Sequence, residues 1–145
     1  MNELRLPGVL PAWFAEIEPG ELRSIAQKAE RLVALWASDQ TTRFCVHVAL
    51  ASRKGLLWLN VALARDHPRY PGIADIFPAA ARMQRAAYDL VGVHAEGGAD
   101  HRKWLRHAAW PAGTFPLRKN FDSGARYESS LDHYPFVRVE GEGVH

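Results

Sequence analysis

Two apolar runs separated by one tight turn constrain this chain more than any other feature. The first, RFCVHVALA, alternates: Phe44, Val46, Val48 and Leu50 fall on one side, and Cys45, His47 and Ala49 on the other. Side chains that alternate with a period of two residues are the mark of a strand. Ser52-Arg53-Lys54-Gly55 follows as a turn, in which Gly55 is free to take positive φ. LLWLNVALA then alternates again, with Leu57, Leu59, Val61 and Leu63 facing one way and Leu56, Trp58, Asn60 and Ala62 the other. Just upstream, RLVALWA has the length and apolarity of either a helix extension or a buried strand. The turn-like Asp39-Gln40-Thr41-Thr42 behind it favours the strand. Strands joined by such short turns predict an antiparallel meander. One face is aliphatic and needs helices over it. The other carries Cys45, His47, Trp58 and Asn60, and faces either water or a cover drawn from the C-terminal half or a partner.

Helical segments are expected before and after this meander along the chain. After Glu18-Pro19-Gly20, the segment ELRSIAQKAE places Leu22, Ile25, Ala26 and Ala29 on one stripe. FPAAARMQRAAYDLVGV gives the clearest helical pattern. Pro78 suits its first turn, its alanines favour helix, and Gly92 suits the position just past its end. Met83, Ala87, Leu90 and Val91 form its buried stripe, and Arg85 and Asp89, four residues apart, are spaced to pair. The segment VLPAWFAEIE, broken by Pro11, is expected to cap one end of the core. RDHPRYPGI, with two prolines, reads as a loop, and residues 100–107 as a helical turn. From Pro111 onward periodicity is lost, and residues 122–145 read as an extended tail with little core of their own.

Composition excludes several function classes. A chain of 145 residues suits one domain with one core. The net charge of +2 does not by itself argue for nucleic acid or an anionic membrane. The single cysteine, Cys45, cannot form an internal disulfide or a cysteine metal cluster. No apolar run approaches the roughly 20 residues needed to span a bilayer. The N-terminus has no secretory-signal pattern, which leads to the expectation of a cytoplasmic domain.

Candidate chemistry is sparse. Cys45 and His47 share a strand face, but no orienting group or oxyanion site accompanies them, so the cysteine reads as a small core residue. His94, His101 and His107 are spaced by seven and six, which does not put helical ligands on one face as H-x-x-x-H does. DHRKWLRHAAW interleaves Arg102, Lys103, Trp104, Arg106, His107 and Trp110. Such a stretch can stack and neutralise single-stranded nucleic acid, lie as a solvated face pinned by its tryptophans, or anchor a protein interface. Gly97-Gly98 and Gly141-x-Gly143 lack the strand–glycine–helix setting of a phosphate loop.

Three blocks together resemble a known family. RMQRAAYDLVGV, GADHRKWL and FPLRKNF are similar to the respiratory complex I 30-kilodalton subunit family, the C subunit of NADH-quinone oxidoreductase. Its signature E-R-E-x-x-x-D-x-x-G is met here by Arg85, Asp89 and Gly92, one residue shorter and with Gln84 and Ala86 in place of both glutamates. In a second block, of the form H-P-D-L-R-R-I-L, Asp100 and Arg102 match and the proline is missing. In a third, P-L-R-K-D-F, the matches are Pro116, Leu117, Arg118, Lys119 and Phe121, with Asn120 for the acid. The missing glutamates and the tryptophan-rich second block look more like the N-terminal domain of the group 4 hydrogenase large subunit. In formate hydrogenlyase that domain is fused to the nickel–iron subunit. The segment YPFVRVEGEGVH resembles the junction where that region begins, which leads to the expectation that the native chain continues.

The resemblance implies an α+β fold, with an antiparallel sheet backed by helices and an extended C-terminal arm. It implies a family domain over residues 1–121 and a tail or linker over 122–145. The implied role is non-catalytic docking, holding a large catalytic subunit (of the 49-kilodalton or nickel–iron hydrogenase type) and iron–sulfur subunits in register. Any iron–sulfur clusters and nickel–iron centre would belong to the parent complex, with no cofactor in this domain. The complex would sit at the cytoplasmic side of the inner membrane, the domain touching the membrane only indirectly. Arg85 and Asp89 are expected to define the fold or an interface. Trp104, Trp110, Arg118 and Phe121 are candidate partner contacts. The C subunit of NADH-quinone oxidoreductase proper and a basic–aromatic nucleic-acid module are the alternatives.

Overall fold

The computed structural model describes residues 2–4, 11–98, 100–106 and 110–125. Strands β3 (Arg31–Asp39), β4 (Phe44–Ser52) and β5 (Gly55–Leu63) form the expected antiparallel meander. The register sets Val46 against Val61 and Val48 against Leu59, so the apolar residues of neighbouring strands meet on one face. Gly55, at φ 140°, lies where an added Cβ would fall 2.0 Å from the Pro11 carbonyl oxygen, so the turn admits only glycine.

The sheet is larger than the meander. VLPAWFAEIE does not cap the core. Its residues Ala12–Ile17 form β2, which pairs in parallel with β5 from Ala12↔Leu56 to Ile17↔Val61. β1 (Asn2–Leu4) adds antiparallel to β2, giving the order β1-β2-β5-β4-β3. β3 lies at one edge, and its register slips between Leu32 and Ala34 in a bulge at the exposed Val33. RDHPRYPGI is not all loop. Arg69–Pro71 forms β6, which pairs in parallel with β7 (His94–Glu96).

Helices cover the aliphatic face, as the alternation requires. A short 3-10 turn leads into α1 (Leu22–Ala26), whose Leu22 and Ala26 are fully buried. α2 (Ala80–Val91) buries Ala80, Ala87 and Val91 against the same cluster as Phe44, Val46, Val48, Leu50, Leu59 and Val61. Met83 and Leu90 pack at its margin. Gly92 ends α2 in the left-handed conformation, at φ 83°.

The opposite sheet face is aromatic and polar. His47 is buried there beneath Trp36, whose ring stacks on it at 5.1 Å, and Trp58 lies 5.8 Å from Trp36. Trp36 and Trp58 both keep more than a third of their surface exposed. His47 Nδ1 lies 2.6 Å from the side-chain carbonyl oxygen of Asn60, and Nε2 lies 2.8 Å from the Ser38 hydroxyl. Because Asn60 offers an acceptor, Nδ1 carries the proton and Nε2 accepts from Ser38. Burial lowers the His47 pKa, which keeps the ring neutral at neutral pH.

Candidate docking site

Arg85 and Asp89 share a face of α2, but each finds a different partner. The Arg85 guanidinium donates to the Asp100 carboxylate at 3.0 Å and to the carbonyls of Arg102 and Lys103 at 2.7 and 3.3 Å. Asp89 is 1% exposed, and its Oδ2 accepts the backbone N–H groups of Trp104, Leu105 and Arg106 at 2.6, 2.7 and 3.2 Å. Instead of pairing with each other as expected, both side chains hold residues 100–106 against the helix. That segment has no helical turn over 100–106, and His107 lies outside the described residues. Three consecutive N–H groups converging on one carboxylate oxygen leave no room for helical i→i−4 bonds.

Arg106 closes the charge balance. Its buried Nε sits 3.8 Å from Asp89 Oδ1, and its Nη1 donates to the Thr114 carbonyl. Asp100 in turn takes the Arg102 guanidinium at 2.8 and 2.9 Å, and hydrogen bonds from Arg102 hold its carboxyl well below the usual carboxylate range. Arg102 and Arg106, two of the cations that suggested nucleic acid, are thus engaged within the chain. Trp104 lies under two guanidinium groups, Arg82 at 5.1 Å and Arg85 at 5.2 Å. Its outer face and the neighbouring Leu105 remain exposed, at 39% and 46%.

The third block folds back over the end of α2. Leu117 N–H donates to the Leu90 carbonyl at 2.9 Å, and Arg118 Nε donates to the Val91 carbonyl at 2.7 Å. These are carbonyls that a helix end leaves without intrahelical donors. The Arg118 guanidinium lies 4.2 Å over Phe115 and 4.8 Å over Phe44. Gly92 makes this approach possible, since a Cβ there would fall 2.5 Å from Arg118 Nη2 and 2.7 Å from Phe115. Pro116 is half-buried, whereas Leu117 is 57% exposed. Lys119 reaches the β3–β4 turn. Trp110 and Phe121 pack together at 5.8 Å.

Sequence reasoning missed the acceptor that receives Lys119. Asp39, at the end of β3, takes Arg65 Nη1 at 2.6 Å, Thr41 N–H at 2.8 Å and Lys119 N–H at 3.1 Å. The Arg65 hydrogen bond, aided by those backbone donors, lowers the Asp39 pKa to about 2. An Asp two residues before Thr41 in a turn is a readable local signal. Its partners 26 and 80 residues away are not.

Cys45 is not placed as an activated nucleophile. It is fully buried, and burial raises its thiol pKa to about 11. His94 and His101 stack at 5.6 Å with rings nearly parallel. Among the described residues no group of three or more His, Cys, Asp or Glu side chains could hold a metal ion. Gly141-x-Gly143 and the junction-like segment lie outside the described residues.

A sheet backed by α2, which holds residues 100–106 through Arg85 and Asp89 and residues 117–118 through its last carbonyls, defines an α+β class of domain. Comparison with known proteins gives the family. The chain belongs to the 30-kilodalton subunit family of the respiratory-chain NADH dehydrogenase, which it matches over residues 19–127. It is 35% identical over 138 residues to the C/D subunit of NADH-quinone oxidoreductase from Rhodopseudomonas palustris (strain BisB18), covering 84% of this chain and 22% of that protein. It is also 34% identical over 62 residues to the membrane-bound hydrogenase subunit beta of Pyrococcus furiosus, covering 43% of this chain and 36% of that one. The chain thus spans about a fifth of the length of the C/D relative it matches. Its fold resembles a chain of the archaeal membrane-bound sulfane sulfur reductase, with TM-score 0.62 and 18% identity, over 84% of this chain and 77% of that one. It also resembles a trypsin-resistant fragment of Nqo5, with TM-score 0.54 and 18% identity, over 61% and 82%. No helix among the described residues is long and apolar enough to cross a membrane.

Proposed function

We propose that this chain is the docking domain of a complex I-like, membrane-associated oxidoreductase. It seats a large catalytic subunit of the 49-kilodalton or nickel–iron hydrogenase type and neighbouring iron–sulfur subunits. Residues 1–121 form the docking domain and 122–145 lead toward the large-subunit region. Clusters and any nickel–iron centre belong to the partners, and the domain meets the inner membrane on its cytoplasmic side only through them.

The observation that carries this reading is the exposure of Trp104, Leu105 and Leu117 on irregular segments held by buried Asp89 and by the end of α2. Exposed aromatic and aliphatic side chains on a preorganised surface are what a protein interface uses as anchors. Trp110, Phe121 and Arg118 extend the same surface, while Gly92 and Pro116 shape it. The relatives named as NADH-quinone oxidoreductase and as membrane-bound hydrogenase both fit this class.

The test is affinity capture of the tagged native protein, with Trp104→Ala and Leu117→Asp as variants. A redox large subunit is expected to accompany the parent chain, and each variant is expected to reduce its recovery. Capture that brings no redox subunit sinks the reading. Nickel content and NADH-dependent electron transfer of the captured complex separate the hydrogenase type from NADH-quinone oxidoreductase proper.

A further inference from the structure

The docking surface is tied to α2 at residues 104–106 and 117–118, and its far end meets a residue outside the three sequence blocks RMQRAAYDLVGV, GADHRKWL and FPLRKNF. Asp39 is 7% exposed and stands where β3 turns into β4. One carboxylate joins three parts of the chain: Arg65 beyond β5, Thr41 in its own turn, and the backbone of Lys119 in the arm. A charged acceptor makes each of these bonds stronger than a neutral one would.

Thr41 supplies a second, independent sign. It is the only non-glycine residue with positive φ among those described, at 73°. A β-branched residue is poorly suited to that conformation, which glycine or asparagine adopts with less strain. What threonine adds is its hydroxyl, and the Thr41 Oγ1 accepts from Lys119 Nζ at 2.6 Å. The turn keeps a strained residue at the point where its side chain grips the arm. Asp39, at its backbone N–H, and Thr41, at its ammonium group, therefore hold the same residue, Lys119.

We propose that Asp39, assisted by Thr41, is a positioning residue for docking: it latches the arm to the β3–β4 turn and so fixes where Leu117 and Phe121 are presented. This rests on the docking function proposed above. The carboxylate meets the arm directly at Lys119 and the core only through Arg65, whose guanidinium lies 4.4 Å over the Phe44 ring.

Asp39→Asn in the native full chain tests the latch by hydrogen exchange. The amides of Leu117, Lys119 and Phe121 are expected to exchange about tenfold faster or more, while the β4 and β5 amides keep their protection. Thr41→Gly relieves the backbone strain, so its thermal midpoint should stay equal or rise, yet the same arm amides should exchange faster. A role in stability alone predicts the reverse link between midpoint and arm protection. Capture of the large subunit should fall for both variants and stay at the parent level for Leu63→Val, which weakens the core without touching the arm. Unchanged arm exchange in both variants overturns the latch. Faster exchange with undiminished capture overturns its role in docking. If Asp39→Asn fails to fold, Thr41→Gly alone decides. If the parent chain itself captures no redox subunit, the docking function fails, while the exchange data still judge the latch.

Discussion

The sheet and the arm solve the same problem in different ways. In the sheet, backbone groups satisfy one another: β3, β4 and β5 pair residue for residue, and the side chains are left to pack. In residues 100–106 and 110–121, side chains satisfy many of the backbone groups, beside a few backbone turns. Asp89 takes three N–H groups, Asp39 takes one, and Arg85, Arg106 and Arg118 cap carbonyls. The first arrangement tolerates many sequences, because any residue carries the ladder. The second depends on a few named charges, and it leaves large apolar side chains to face outward.

That contrast can be broken from either side. Asp89→Ala should have the largest effect. It strands three N–H groups and leaves Arg106 buried without a counter-charge, for a loss of about 3–5 kcal/mol, read by urea unfolding. Leu59→Ala attacks the sheet instead. A cavity in that core should cost about 2–5 kcal/mol and shift every spectroscopic probe together, whereas an arm defect registers first at tryptophans 104 and 110. Gly92→Ala tests the junction, because an alanine there meets both positive φ and the Arg118–Phe115 pair. A loss of roughly 1–3 kcal/mol is expected, with faster exchange at Leu117.

Acidification sharpens the comparison further. The Asp39 carboxyl is held at about 2 in the folded chain, below its ordinary value of 3.8. Its contribution is therefore complete above about pH 4 and is lost as pH falls through 2. Amide exchange at Lys119, corrected for the intrinsic pH dependence, should rise across that window, and Asp39→Asn should flatten the rise. The smallest effect belongs to Glu16→Gln. This removes an exposed pair with Arg43 and should change stability by less than about 1 kcal/mol without touching the arm.

What the sequence disclosed follows the same division. The meander was legible because alternation is local, and α2 because its alanines and terminal Gly92 are local. β2 was not. Its partner residue on β5 lies 44 positions further along the chain, its parallel pairing needs no tight turn to announce it, and Pro11 just before it looks like an interruption. β6 and β7 are too short to show a period. Arg85 and Asp89 were noticed, but spacing on a helix suggests pairing with each other. Their actual partners, 15 to 18 residues onward, depend on how an irregular segment returns. Asp39 looked like an ordinary turn residue for the same reason.

The bulge at Val33 carries one more consequence. A straight outer β3 would offer a row of open hydrogen-bonding groups to the same strand of another molecule, and so a route to fibres. The slipped register kinks that rim and so spoils it as a template for the same strand of a second copy.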